Sequence, residues 1–171
     1  MAPYVPPHRK ETPLQVNVRK KGYVIPMINN KYIVGINRKS GNTTFFGGGC
    51  GSKNNVKNCA IRELREEARQ SIMNTNLKNF FVVRVDEPKY RSRRELENNK
   101  RRGIKVITNY HVFSLRPKNS FETINKKFKM FVPTTNKERE MVRLNIKSLQ
   151  NLKKNEKLWN LMRNKFLPRL I

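Results

Sequence analysis

The chain has 171 residues, the length of one domain, and a hydrophobic share of 36% that still permits a real core. Its 38 Lys and Arg against 12 Asp and Glu leave a formal net charge of +26, which excludes an acidic disordered chain and points to a polyanionic partner such as nucleic acid or a polyphosphate. The only cysteines are Cys50 and Cys59 and the only histidines His8 and His111, which excludes a disulfide-stapled scaffold, argues against a structural zinc site and suits a reducing compartment.

Residues 1–13 carry Pro3, Pro6, Pro7 and Pro13 and read as an extended basic tail. They lack the apolar run of a signal peptide, no stretch approaches the ~20 apolar residues of a membrane helix, and a cytoplasmic location is expected. A strand is predicted over 16–28, a turn at Asn29-Asn30 and a return strand over 32–36, followed by a short strand over 43–46. Gly47-Gly48-Gly49-Cys50-Gly51 is expected to be a loop, because four glycines in five positions are not expected to hold regular structure. From 55 to 70 the period turns helical, with Val56, Cys59, Ala60, Leu64 and Ala68 on one face. A strand over 77–85, a polar basic segment over 87–103 and a long strand over 104–115 follow, then an ambiguous stretch over 121–131. A strand over 141–146 and a short helix over 147–152 precede a last helix over 156–167, whose Leu158, Trp159, Leu161, Met162 and Phe166 form a core-facing stripe.

Among so few acids, Glu63, Glu66 and Glu67 fall within five residues, and the i, i+3, i+4 spacing puts them on one helix face. Crowded carboxylates repel unless a positive group lies between them. A hard divalent cation with oxygen ligands is one such group, and Arg62 and Arg65 on an ordinary solvated face are the alternative.

The run from Phe45-Phe46-Gly47-Gly48 to Arg62-Glu63-Leu64-Arg65-Glu66-Glu67 resembles the Nudix box, G-x5-E-x7-R-E-U-x-E-E-x-G-U. The resemblance implies a Nudix-type α/β/α sandwich with a mixed β-sheet over residues 14–150, the C-terminal helix packing outside as 151–171. It implies a metal-dependent pyrophosphohydrolase in which Glu66 and Glu67 bind Mg2+ or Mn2+ and Glu63 is a further ligand or helps activate water. Arg62 would orient the carboxylates and the Gly48 carbonyl would complete the shell. The family often uses a distant carboxylate as well. Glu140 is the first choice and Glu138 the second, with surface charge on a loop as the alternative for each. Two departures stand out. Asn54 replaces the first Glu of the box, and Arg69-Gln70 replace the late Gly and its aliphatic neighbour, so the helix is expected to run on, with Ile72 as apolar plug.

Lys89, Arg91, Arg93, Arg94, Lys100, Arg101 and Arg102 crowd one inter-strand segment, as expected of a path for a nucleic-acid backbone. Arg93, Arg94, Arg101 and Arg102, with Lys20, Lys21 and Tyr23, form the expected RNA-binding set, and Tyr23, Phe45, Phe46 and Tyr90 are candidates to stack on a cap base. Cys59-Ala60-Ile61-Arg62-Glu63-Leu64 is similar to the box of poxvirus-type decapping enzymes, which implies cleavage of the 5′ cap of mRNA with release of methylated GDP. The alternatives are a Nudix hydrolase of a small substrate (diphosphoinositol polyphosphate, ADP-ribose or a nucleoside triphosphate) and a catalytically silent RNA-binding or assembly module.

Overall fold

The computed structural model describes residues 15–51, 55–73, 76–86 and 92–170; Asn54, Lys89, Tyr90, Arg91 and the tail fall outside these. Strand β1 (Gln15–Ile28) organises the sheet. On one edge it runs parallel to β6 (Ile104–Leu115) from Gln15↔Ile104 to Pro26↔Leu115, and β5 (Lys78–Val85) adds antiparallel to β6. On its other edge β4 (Phe46–Cys50) pairs antiparallel from Lys20↔Cys50 to Val24↔Phe46. Beyond that, β2 (Lys31–Asn37) pairs at Met27 and Ile28, and carries β3 (Thr43–Thr44) and β7 (Met141–Ser148). The result is a mixed seven-stranded sheet. Asn29 and Asn30 turn the β1–β2 hairpin with φ of 48° and 61°, the left-handed pair that suits a two-residue hairpin.

Alternate residues face opposite layers. Val24, Ile33 and Phe46 pack under α1 (Val56–Glu67) and α3 (Phe121–Met130) through Ala60, Leu64, Ala68, Ile124 and Phe128. Tyr23, Ile25, Val34, Tyr110 and Val112 pack on the other face against Leu152 of α4 (Leu149–Lys154) and the C-terminal Leu158, Leu161 and Phe166. This is the expected α/β/α sandwich. Among the described residues no helix is long and apolar enough to cross a membrane.

Several expectations are corrected. The glycine run is not a loop. Its first residues form β4, held by β1, and glycine is used there because neighbours approach closely: a Cβ on Gly47 would lie 2.4 Å from the Tyr23 ring. The basic segment contains a helix, α2 (Arg93–Arg102), capped by Ser92 and ended by Gly103 at φ 63°. The ambiguous stretch is α3, capped by Ser120. The last element is not one helix. Leu158 bridges Thr43, the Thr43 and Trp159 amides donate to the Lys157 and Thr43 carbonyls at 2.6 and 3.1 Å, and only then do π and 3-10 turns span Met162–Phe166 and Leu167–Arg169. Cys50 and Cys59, expected in a reducing setting, form a disulfide that ties β4 to α1.

Candidate active site

Helix α1 begins at Asn55, whose side chain accepts from the Lys57 and Asn58 amides. Its apolar face presses on β1 where Gly22 leaves room; a Cβ there would lie 2.8 Å from the Val56 carbonyl oxygen. This close packing swings the carboxylate face toward β4, whose Gly47 and Gly48 present bare backbone. The Gly47 amide donates to both oxygens of Glu67 at 3.3 and 3.4 Å. The carboxyl carbon of Glu63 lies 2.6 Å from where a Cβ of Gly48 would stand. Glu63 and Glu67 are both buried, and Glu66 is half-buried between them in sequence.

The segment before β7 completes the cluster. Lys137 Nζ donates to Glu63 Oε2 at 3.1 Å and lies 3.8 Å from Glu140 Oε2, while a guanidinium nitrogen of Arg62 lies 3.8 Å from Glu63 Oε1. Burial, then the charges of Glu140 and Glu63, push the Glu67 carboxyl well above its usual range. Burial and the Glu67 charge likewise push the Tyr23 hydroxyl up, so it stays a neutral donor. Burial alone would lower the Lys137 ammonium, but its hydrogen bond to Glu63 and the carboxylate charges outweigh that, and the net shift is upward.

Arg69 shows how the chain manages without the late glycine of the box. Helix α1 ends at Glu67 rather than running on, because Arg69 and Gln70 adopt φ of 52° and 57°, and their amides return to the Glu66 and Arg65 carbonyls. That conformation is costly for non-glycine residues. The Arg69 side chain offsets it by donating to the Glu138 and Met141 carbonyls at 2.7 and 3.0 Å while covering the Phe128 ring at 4.2 Å. It thereby ties the Lys137–Glu140 segment to the end of α1. Ile72 is buried in the core, as expected of a plug.

A cavity of about 390 Å³ opens beside the carboxylates, with Glu67 and Glu140 at one end. Tyr23, Phe45 and Trp159 give it aromatic walls, and Asn37, Asn42 and Thr44 give it polar ones. Trp159 stacks on Tyr23 at 5.8 Å between ring centroids, held there by its backbone bond to Thr43.

The structure therefore gathers Glu63, Glu67, Gly48, Arg62, Glu140 and Tyr23. Glu140, not Glu138, reaches the cluster. The Glu138 carboxylate instead accepts from the Thr134 and Thr135 amides and the Thr134 hydroxyl within its own loop. Lys21 shares its strand face with Tyr23 and covers the Tyr110 ring, whereas Lys20 points to the other face, beside His111. Arg93, Arg94, Arg101 and Arg102 stand exposed on α2, which meets β1 through an Arg19–Glu95 ion pair at 2.9 Å. Phe46, a stacking candidate, is fully buried in the opposite core layer. Sequence reasoning missed Lys137, Arg69 and Trp159. The only signal for the first two is their place among the acids and at the departure from the box; Trp159 reads from its spacing as a core residue.

The donors on α1 and β4 are all oxygens, the chemistry of a hard divalent cation. Among the described residues no three acidic, His or Cys side chains converge as a metal cage; Glu63 and Glu140 are instead bridged by the Lys137 ammonium.

No protein-family model and no curated relative matches the chain. Solved structures do resemble it. The MutT protein from Methanosarcina mazei Go1 aligns with TM-score 0.59 at 13% identity, covering 92% of this chain and 95% of its own. A MutT NUDIX hydrolase from Burkholderia pseudomallei gives 0.56 at 12%, covering 91% and 99%, and a NUDIX hydrolase from Nitrosomonas europaea 0.56 at 11%, covering 90% and 86%. At these identities the likeness concerns architecture, and the architecture is the Nudix fold.

Proposed function

We propose that the chain is a metal-dependent Nudix pyrophosphohydrolase acting on a nucleotide diphosphate linkage, with the 5′ cap of mRNA as its substrate. One observation carries the chemistry: two buried carboxylates, Glu63 and Glu67, lie against the bare Gly47-Gly48 backbone, and Glu67 with Glu140 lines a cavity beside them on this fold. Glu66, Glu67, Glu63 and the Gly48 carbonyl would hold Mg2+ or Mn2+. Such an ion, when bound, would lower the pKa of a water on it and neutralise charge on the diphosphate. Glu140 faces the cavity beside Glu67 and accepts the proton of the attacking water. Arg62 keeps the Glu63 carboxylate oriented. Water oxygen joins one phosphorus, the bridging P–O bond breaks, and the departing phosphate keeps the electron pair.

The cavity walls support a nucleobase as the attached group, since the half-buried Trp159, backed by the core rings Tyr23 and Phe45, offers a ring surface and Asn37 and Asn42 offer amides for a base edge. The charge of +26 and the arginines of exposed α2 support a polymer following the base. A second reading, a free nucleotide such as ADP-ribose, draws on the same cavity, whose size suits a single nucleoside. Product analysis separates them. With Mn2+, cap-labelled RNA is expected to release methylated GDP, with ADP-ribose, nucleoside triphosphates and diphosphoinositol polyphosphates turned over more slowly. Turnover of the small substrates alone would favour the second reading, and turnover of none would make the chain a silent module.

A further inference from the structure

We propose that the Lys137 ammonium takes the place of a second divalent cation, so that this site binds one metal ion and supplies its other positive charge from its own chain. The inference rests on the metal-dependent reading above and concerns how that site is charged.

The geometry is that of a counter-ion. Lys137 Nζ is 3.1 Å from Glu63 Oε2 and 3.8 Å from Glu140 Oε2, so it joins a carboxylate of α1 to the carboxylate brought from outside the helix. A second cation held by Glu63 and Glu140 would have to occupy the volume the ammonium fills. Glu67, bonded to the Gly47 amide, would then hold one ion, with Glu66 one residue before it on α1 as the further carboxylate. The charges agree with this division. Four carboxylates, Glu63, Glu66, Glu67 and Glu140, are balanced by Arg62, Lys137 and one divalent ion. The Glu63 carboxylate is 4% exposed, too buried to be left unpaired while a metal comes and goes. The Lys137 side chain is half-exposed, but the backbone that carries it is fixed, because the two Arg69 hydrogen bonds to the Glu138 and Met141 carbonyls anchor its segment on α1.

The test is a Mn2+ titration of the full chain, following free Mn2+ by electron paramagnetic resonance, for the parent, Lys137→Met and Lys137→Gln. Gln keeps a donor toward Glu63 without the charge, so it reports even where Met fails to fold. The parent is expected to bind one Mn2+. The variants are expected to bind two, or to bind the first roughly tenfold more tightly, as removal of a cation a few ångströms from the ligands requires. Two tight sites in the parent, or unchanged stoichiometry and affinity in both variants, would overturn the proposal. A parent that binds no Mn2+ would instead overturn the metal-dependent reading on which it rests.

Discussion

Two neighbouring glycines of β4 give predictions of opposite sign. At Gly48 a methyl group would stand 2.6 Å from the Glu63 carboxyl carbon and 2.8 Å from both its oxygens, whereas at Gly49 it would meet nothing within 4 Å. The Glu63 carboxylate is about 0.8 Å short of ordinary contact, and it is not free to withdraw, because it is buried and bonded to Lys137 at 3.1 Å. Gly48→Ala is therefore expected to cost about 1–3 kcal/mol, the usual range for overpacking. Gly49→Ala adds a residue with less chain entropy to lose in a strand and is expected to gain about 0.5–1 kcal/mol. For a chain of this length a kcal/mol corresponds to roughly 2–4 °C in Tm. Thermal melting in EDTA reads both, with Gly48→Ala below the parent and Gly49→Ala at or above it. Equal melting temperatures for the two variants would refute the close approach of α1 to β4, and with it the geometry of the site.

Glu67→Gln should remove turnover while changing how stability depends on pH. The Glu67 carboxyl is raised in the folded state, so without metal the folded chain keeps a proton that the unfolded chain releases. That stabilisation is present at low pH and is lost as pH climbs from the ordinary value of 4.5 through the raised one. Urea midpoints across that range in EDTA should fall for the parent and stay flatter for Glu67→Gln, and parallel profiles would contradict the assignment. Trp159→Ala should raise KM for a nucleotide substrate by about tenfold, the loss expected for one stacked base, while kcat changes less and Trp159→Phe recovers part of the loss. An unchanged KM would remove Trp159 from base recognition. Replacing Arg93, Arg94, Arg101 and Arg102 with Gln should weaken RNA binding and lower its salt slope by roughly 0.7 for each phosphate no longer neutralised. Fluorescence anisotropy at several salt concentrations checks this, and an unchanged slope would mean the RNA path lies elsewhere.

The sheet and the carboxylate helix were legible because their signals are local. The apolar β-branched and aromatic runs in 16–28 and 104–115 mark strands covered on both faces, and three-and-four spacing from Val56 to Ala68 encodes one buried helix face. β4 was illegible for the opposite reason. Its glycines weaken any intrinsic strand preference, and the strand exists because β1 supplies its partner and α1 and Tyr23 need its bare surface. The C-terminal segment showed a helical stripe, but its first residues are drawn into a bridge with Thr43, a contact across more than a hundred positions that no local pattern records. Within the site, the i, i+3, i+4 acids were visible and Lys137 was not, because a lysine in a chain with 38 basic residues carries no distinguishing mark until the fold sets it between two carboxylates.

The most direct test of the central claim is hydrolysis of cap-labelled RNA with Mn2+ by the parent and by Glu66→Gln, side by side. Glu66 is half-buried and has no part in the apolar packing of α1, so the variant is expected to fold and melt like the parent. Methylated GDP released by the parent, and reduced at least a hundredfold in the variant, is the expected result. Equal release by both would contradict a reaction run by the carboxylates of α1.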